Sequence, residues 1–142
     1  MREILFKAKV KNWKQLPKEE WWVEGYYGIK GKGTELEEHF IICSTFSPIL
    51  STYPFYFTDI QIDPETLCQY TGLKDKKGKK IWENDIAYIR GSGLSGYGVI
   101  KYENGNLVLV DSKRKRTYSL YGEWKIRKDG NIFDNAGLLE VE

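Results

Sequence analysis

The 142 residues carry a net charge of +2 with 30% charged side chains, which is the length of one domain and excludes a chain-wide polyanion glove. Aromatic residues make up 15%, with 5 Trp and 10 Tyr, and this excludes a disordered chain, because such side chains supply large burial per residue. Cys43 and Cys68 are too few and too far apart for a disulfide framework or a four-ligand zinc site, so they read as buried free thiols.

Strict alternation from Arg2 to Lys11 puts Ile4, Phe6, Ala8 and Val10 on one side and Lys7, Lys9 and Lys11 on the other, the pattern of a half-buried strand. A second strand follows at Trp21 to Lys30, where Gly25 and Gly28 signal a kink, a bulge or a close backbone approach. A third runs from His39 to Thr45 up to a break at Ser47-Pro48, and a fourth from Tyr53 to Ile62, with Pro54 marking an edge. Asp63-Pro64-Glu65-Thr66 then reads as a helix start, Asp63 capping and Pro64 in the first turn, with Gly72 ending the helix.

Lys74 to Lys80 reads as a loop or hairpin tip, and Ile81 to Ile89 as a strand broken by a tight turn at Glu83-Asn84-Asp85. Further strands are predicted at Tyr97–Tyr102, Leu107–Val110, Thr117–Leu120 and Glu123–Arg127, and Asn104-Gly105 suits a two-residue hairpin turn. The tail reads as a short strand from Gly130, an Asp134 cap and about one helical turn over Ala136 to Leu139. The fold class is all-β, mainly antiparallel, with a small barrel or meander in the C-terminal half and one or two short helical turns. One domain spans 1–142, with an aromatic, mildly acidic lobe over 1–62 and a basic lobe over 74–142, joined by 63–73. Lys and Arg number 8 against 10 acidic residues in positions 1–70, and 14 against 10 in positions 71–142.

Gly91-Ser92-Gly93-Leu94-Ser95-Gly96 has the letters of a dinucleotide fingerprint, but a strand follows where a helix N-terminus would have to meet the pyrophosphate, so it reads as a strand connection. His39, beside Glu37 and Glu38, has no serine or cysteine context that marks a nucleophile and reads as an ordinary polar position. The carboxylates Asp59, Asp63 and Glu65, or Glu83 and Asp85, suit caps and turns better than an acid–base or cation site. The basic clusters Lys76, Lys77, Lys79, Lys80 and Lys113, Arg114, Lys115, Arg116 are candidates for phosphate contact. Tyr88, Tyr97, Tyr102, Tyr118 and Tyr121 are the stacking candidates. Charged hairpin tips also simply keep edges solvated.

The run Glu65-Thr66-Leu67-Cys68-Gln69-Tyr70-Thr71-Gly72-Leu73-Lys74-Asp75, followed by Glu83-Asn84-Asp85-Ile86, resembles the signature of the YopX family, an ETVGQYTGLKD-like run leading through a glycine hairpin to an EGDI-like turn. The opening Arg2 to Ala8, the strand Trp22 to Tyr27 and the tail Gly130 to Asn135 agree with it. Asn84 replaces the family's usual Gly, and Ala136-Gly137 its common Pro-Glu pair; Asn tolerates a left-handed backbone. The resemblance implies an all-β fold and a phage or prophage setting, with no activity and no catalytic residue to carry over.

The function expected is therefore a non-enzymatic, β-rich binding module acting through a protein partner or self-association. A weak nucleic-acid-binding barrel is the alternative, and an enzyme with a carboxylate site the third reading. No catalytic residue, cofactor or metal is assigned. With no run of about 18 uncharged apolar residues and no apolar stretch at the N-terminus, a cytoplasmic location in the bacterial host, away from membranes, is expected.

Overall fold

The computed structural model describes residues 4–46 and 55–140, in two compact units, Glu3–Gln69 and Tyr70–Glu142. The expected break at Ser47-Pro48 and the strand start at Tyr53-Pro54 lie outside the described residues.

In the first unit, β1 (Phe6–Lys9), β2 (Trp22–Lys30), β3 (Glu38–Phe46), β4 (Phe55–Gln61) and the first residues of β5 (Cys68–Lys74) are hydrogen-bonded in the order β4-β3-β2-β1-β5. All pairings are antiparallel, with Phe6 opposite Gly25, Phe40 opposite Gln61 and Lys7 opposite Cys68. Ala8, Ile41 and Ile62 form the buried centre, packed by Phe6, Val23, Tyr27 and Leu67.

The alternation in β1 locates one side of this core correctly and misleads about the other. Lys7 and Lys9, expected toward solvent, retain only 8% and 1% of their exposure, whereas Ile4, expected inside, is 64% exposed. Alternation says which side a residue faces, but not what later chain will cover that side. Here two one-turn 3-10 segments, Trp13–Gln15 and Lys18–Glu20, carry the chain back to β2. The Lys9 ammonium lies 3.8 Å from the Trp13 ring centre, 4.4 Å from Trp21 and 5.6 Å from Trp22. The negative faces of those rings attract a cation that has left water.

The helix expected from Asp63 is corrected to a single turn. Asp63 does cap it, its Oδ1 accepting the Glu65 N–H at 3.1 Å, but the turn ends after Pro64–Thr66 and Leu67 is already extended. From Cys68 the chain is β5, in which Cys68, Tyr70 and Thr71 are buried. β-branched and aromatic side chains fit a pleated surface, and capping and proline signals specify only where a helix begins. Gly72, expected to end the helix, has φ +84° and lies where the pairing of β5 with β6 shifts register.

In the second unit, the remainder of β5 pairs with β6 (Lys80–Trp82). β7 (Asp85–Gly91), β8 (Leu94–Glu103), β9 (Asn106–Asp111), β10 (Arg116–Ser119) and β11 (Lys125–Asn131) form an antiparallel sheet in the order β10-β9-β8-β7-β11. One face carries Ala87, Ile89, Ile100, Leu109 and Ile126, which pack with Ile81, Leu107 and Leu120 into the core. The chain is all-β, as its patterning predicts. Asn104-Gly105 closes β8 and β9 with φ of +51° and +80°, the two-residue turn expected there.

The expected strands at Glu123–Arg127 and from Gly130 are one strand, β11, bulged between Lys128 and Gly130. The residue before the final turn is Asn135, one position past the expected Asp134. The Asn131 Oδ1 accepts the N–H groups of Phe133 and Asp134, each at 2.9 Å, and the Asn135 carbonyl receives the Leu138 N–H. An Asn at the strand end competes for the local donors as well as an Asp does.

Candidate functional site

The second face of the five-stranded sheet holds the main candidate. Arg127, Tyr88 and Tyr97 stand opposite one another across β11, β7 and β8, and Ile86, Val99 and Val110 form the next row. The final 3-10 turn, Ala136–Glu140, brings Leu138 and Leu139 to a cleft of about 420 Å³ with Tyr97, Val99 and Val110. Lys113 and Arg114, from the loop between β9 and β10, line the same cleft.

Its polar groups are held in place. Arg127 meets Asp129 through two bonds, Nε to Oδ1 at 2.8 Å and Nη2 to Oδ2 at 3.0 Å, and its guanidinium lies 5.1 Å from the Tyr88 ring centre. The Asp129 partner raises the Arg127 pKa further above its ordinary value. Burial first, then the Asp129 charge, push the Tyr97 phenol up, with Arg127 opposing. Tyr97 is thus a neutral phenol that offers a ring and a hydroxyl. Asp111 is buried, and its Oδ1 accepts the Arg114 N–H at 3.1 Å, which pins the start of the basic loop.

The predicted basic residues separate accordingly. Lys113 and Arg114 line the cleft, with the exposed Lys115 and Arg116 beside them in the chain. Lys76, Lys77, Lys79 and Lys80 do not line it. They belong to the β5–β6 hairpin, where the Asp75 Oδ1 accepts the N–H groups of Lys77 and Lys79 and the Lys80 ammonium lies 5.8 Å from the Tyr70 ring centre. Of the stacking candidates, Tyr102 and Tyr118 pack against the core, Tyr121 is 66% exposed, and Tyr97 lines the cleft.

Sequence reasoning missed a second cluster, in the first unit. The His39 Nδ1 meets the Tyr27 hydroxyl, and its Nε2 lies 3.1 Å from the Glu37 Oε2. Ile29 is opposite His39, which puts Tyr27 on the same face one diagonal away. The cluster's signals were the adjacency of Glu37 to His39 and, for Tyr27, the β2–β3 register. Glu37 also accepts the Gly33 N–H at 3.0 Å, so the chain of bonds closes the loop between β2 and β3. A carboxylate, an imidazole and a hydroxyl in line have the form of a catalytic relay. Burial and then the Glu37 charge push the Tyr27 phenol up, however, the opposite of activation as a nucleophile.

Of the carboxylates singled out from the sequence, Asp59, Asp63 and Asp85 each have a structural partner. Asp59 pairs with Lys30 at 3.2 Å, and Asp63 caps its turn and receives the Trp13 Nε1–H at 3.3 Å. Asp85 is fully buried, with its Oδ2 accepting the Trp82 N–H at 2.7 Å and facing the Lys128 ammonium at 3.2 Å. Among the described residues, no three His, Cys, Asp or Glu side chains are grouped to hold a metal ion, and no helix is long and apolar enough to cross a membrane. The GxGxxG letters form the β7–β8 hairpin, with Ser92 and Gly93 at φ +48° and +79° in a two-residue turn. Cys43 is half-buried rather than buried, and Cys68 is buried.

The Asn84 turn has the backbone that the resemblance requires, with φ +72°, and it is tied to Ile100 and Ile132 by backbone bonds of 2.7 and 3.0 Å. No curated protein matches the chain. The crystal structure of protein yopX from Bacillus subtilis is similar with a TM-score of 0.52 and 14% identity, each chain covered over 100% of its length, a likeness that shows the fold. The YopX family model matches residues 14–140, taking in the Asp63 to Asp75 run, the Asn84 turn and the Leu138-Leu139 tail, and the chain belongs to the YopX family.

Proposed function

We propose that this chain is a phage or prophage accessory protein, a non-enzymatic β-rich binding module that acts through protein contacts. The observation that supports it best is the cleft of the second unit, where the apolar walls of Val99, Val110, Leu138 and Leu139 meet the cationic rim of Lys113 and Arg114. A surface that is apolar inside and charged at its rim has the anatomy of a protein-recognition site. Self-association is a further route, through exposed large side chains such as Tyr26 (61%) and Leu36 (78%).

The test pairs light scattering with capture from lysogenic host extract. The expected result is a stable oligomer or a captured protein whose retention is lost when Val110 is changed to Asp. A monomer that retains nothing overturns the reading.

A second reading, weak nucleic-acid binding, draws support from the basic loops at Lys76, Lys77, Lys79, Lys80 and Lys113, Arg114, Lys115, Arg116, all in the second unit. Charge reversal there should abolish a salt-dependent affinity for oligonucleotide. Absence of binding at low salt removes this reading. The enzyme reading has the least support, since Asp63 caps a turn, Asp59 pairs with Lys30 and Asp85 with Lys128.

A further inference from the structure

We infer that the cleft of the second unit takes an acidic peptide segment anchored by one bulky apolar side chain. This rests on the binding-module reading and adds the class of partner. The floor and far wall, Val99, Val110, Leu138 and Leu139, offer a docking side chain no hydrogen-bonding side-chain atom, and Tyr97 flanks them with its ring and hydroxyl. A volume of about 420 Å³ is ample for one leucine or phenylalanine together with adjoining backbone.

Charge selects what flanks that anchor. Among the described residues that line the cleft, Asp129 is committed to Arg127 through two bonds, and Asp111 is buried with its Oδ1 on the Arg114 amide. Lys113 and Arg114 stand at the lining, and Lys115 and Arg116 continue the positive run into β10, all four exposed. The rim is therefore positive beside an apolar floor. Such complementarity steers an acidic chain inward and disfavours a basic one. A single-stranded nucleic acid would be served by successive aromatic platforms along its track. The cleft instead presents one tyrosine among aliphatic walls.

Selection of a random displayed peptide library on the immobilised full-length chain tests this. The enriched sequences should share one Leu, Ile, Phe or Trp flanked by Asp or Glu. The synthetic consensus peptide should shift the methyl resonances of Val99, Val110, Leu138 and Leu139. Its affinity should fall about tenfold or more, about 1.4 kcal/mol or more, in Leu139→Ala and in the double variant Lys113→Glu/Arg114→Glu. The double variant changes exposed loop residues, so it retains the fold if Val110→Asp does not. No consensus, a basic consensus, binding unmoved by these variants, or displacement of the peptide by oligo-dT overturns the inference. Should the library fail while a partner or oligomer is still found, the binding-module reading stands and this inference alone falls. Should neither be found, both fall.

Discussion

Each unit sets a lysine against a different kind of group, aromatic rings in the first and a buried carboxylate in the second. In the first, the Lys9 ammonium lies within 5.6 Å of the ring centres of Trp13, Trp21 and Trp22. In the second, Lys128 reaches the fully buried Asp85 at 3.2 Å, beside the Trp82 amide that binds the same oxygen. Ring faces attract a cation over a broad surface, with tolerance in its exact placement. A buried carboxylate has full charge and demands a partner in one place, so losing either side leaves an uncompensated charge. The buried anion of the second unit should therefore be the position most sensitive to substitution.

Asp85→Ala gives the largest effect expected. It strips the Trp82 amide and the Lys128 ammonium of an acceptor, and urea denaturation should show a loss of about 3–5 kcal/mol. Next come paired glycine changes that test the backbones of the two units alike. A Cβ at Gly25 would collide with the Ile42 carbonyl oxygen, and one at Gly98 with the Val110 carbonyl oxygen. Gly25→Ala and Gly98→Ala should each cost about 1–3 kcal/mol by the same assay. Lys9→Met, which keeps an unbranched side chain one atom shorter and removes the charge, should cost about 2 kcal/mol or less. A loss as large as that of Asp85→Ala would break the comparison.

The smallest effect concerns acid. The Gly33 amide, then His39, holds the Glu37 carboxyl below its ordinary value. Its contribution to stability is therefore present above the ordinary carboxylate range and is lost as the pH falls through the lowered value. An NMR titration should find Glu37 deprotonating below the ordinary carboxylate range. A midpoint within that range would show that the loop bond does not persist in solution.

What could be read in the sequence follows from how local each signal is. The strands β6 to β10, the Asn104-Gly105 turn and the Asp63 cap depend on a few adjacent residues, and all three hold. The length of the helix after Asp63 was misjudged because a cap specifies a start, and the continuation depended on pairing with β1 and β6. The cleft was half legible. Lys113 and Arg114 were visible as a charged loop, but their meeting with Leu138 and Leu139 depends on a tail that folds back across the sheet. In the Glu37–His39–Tyr27 chain only the Tyr27 link was invisible, since no spacing along the sequence encodes a diagonal across paired strands.

The tryptophans around Lys9 also give the first unit an optical signature. Trp13 and Trp21 meet edge to face with ring centres 4.9 Å apart and planes at 69°. Indole transitions held that close and at a fixed angle couple, and a neighbouring ammonium shifts their energies. Three of the five tryptophans therefore report on one short stretch of backbone, from the end of β1 to the start of β2. Near-ultraviolet circular dichroism and the emission maximum then carry a signal from that stretch beside those of Trp82 and Trp124, readable without a label.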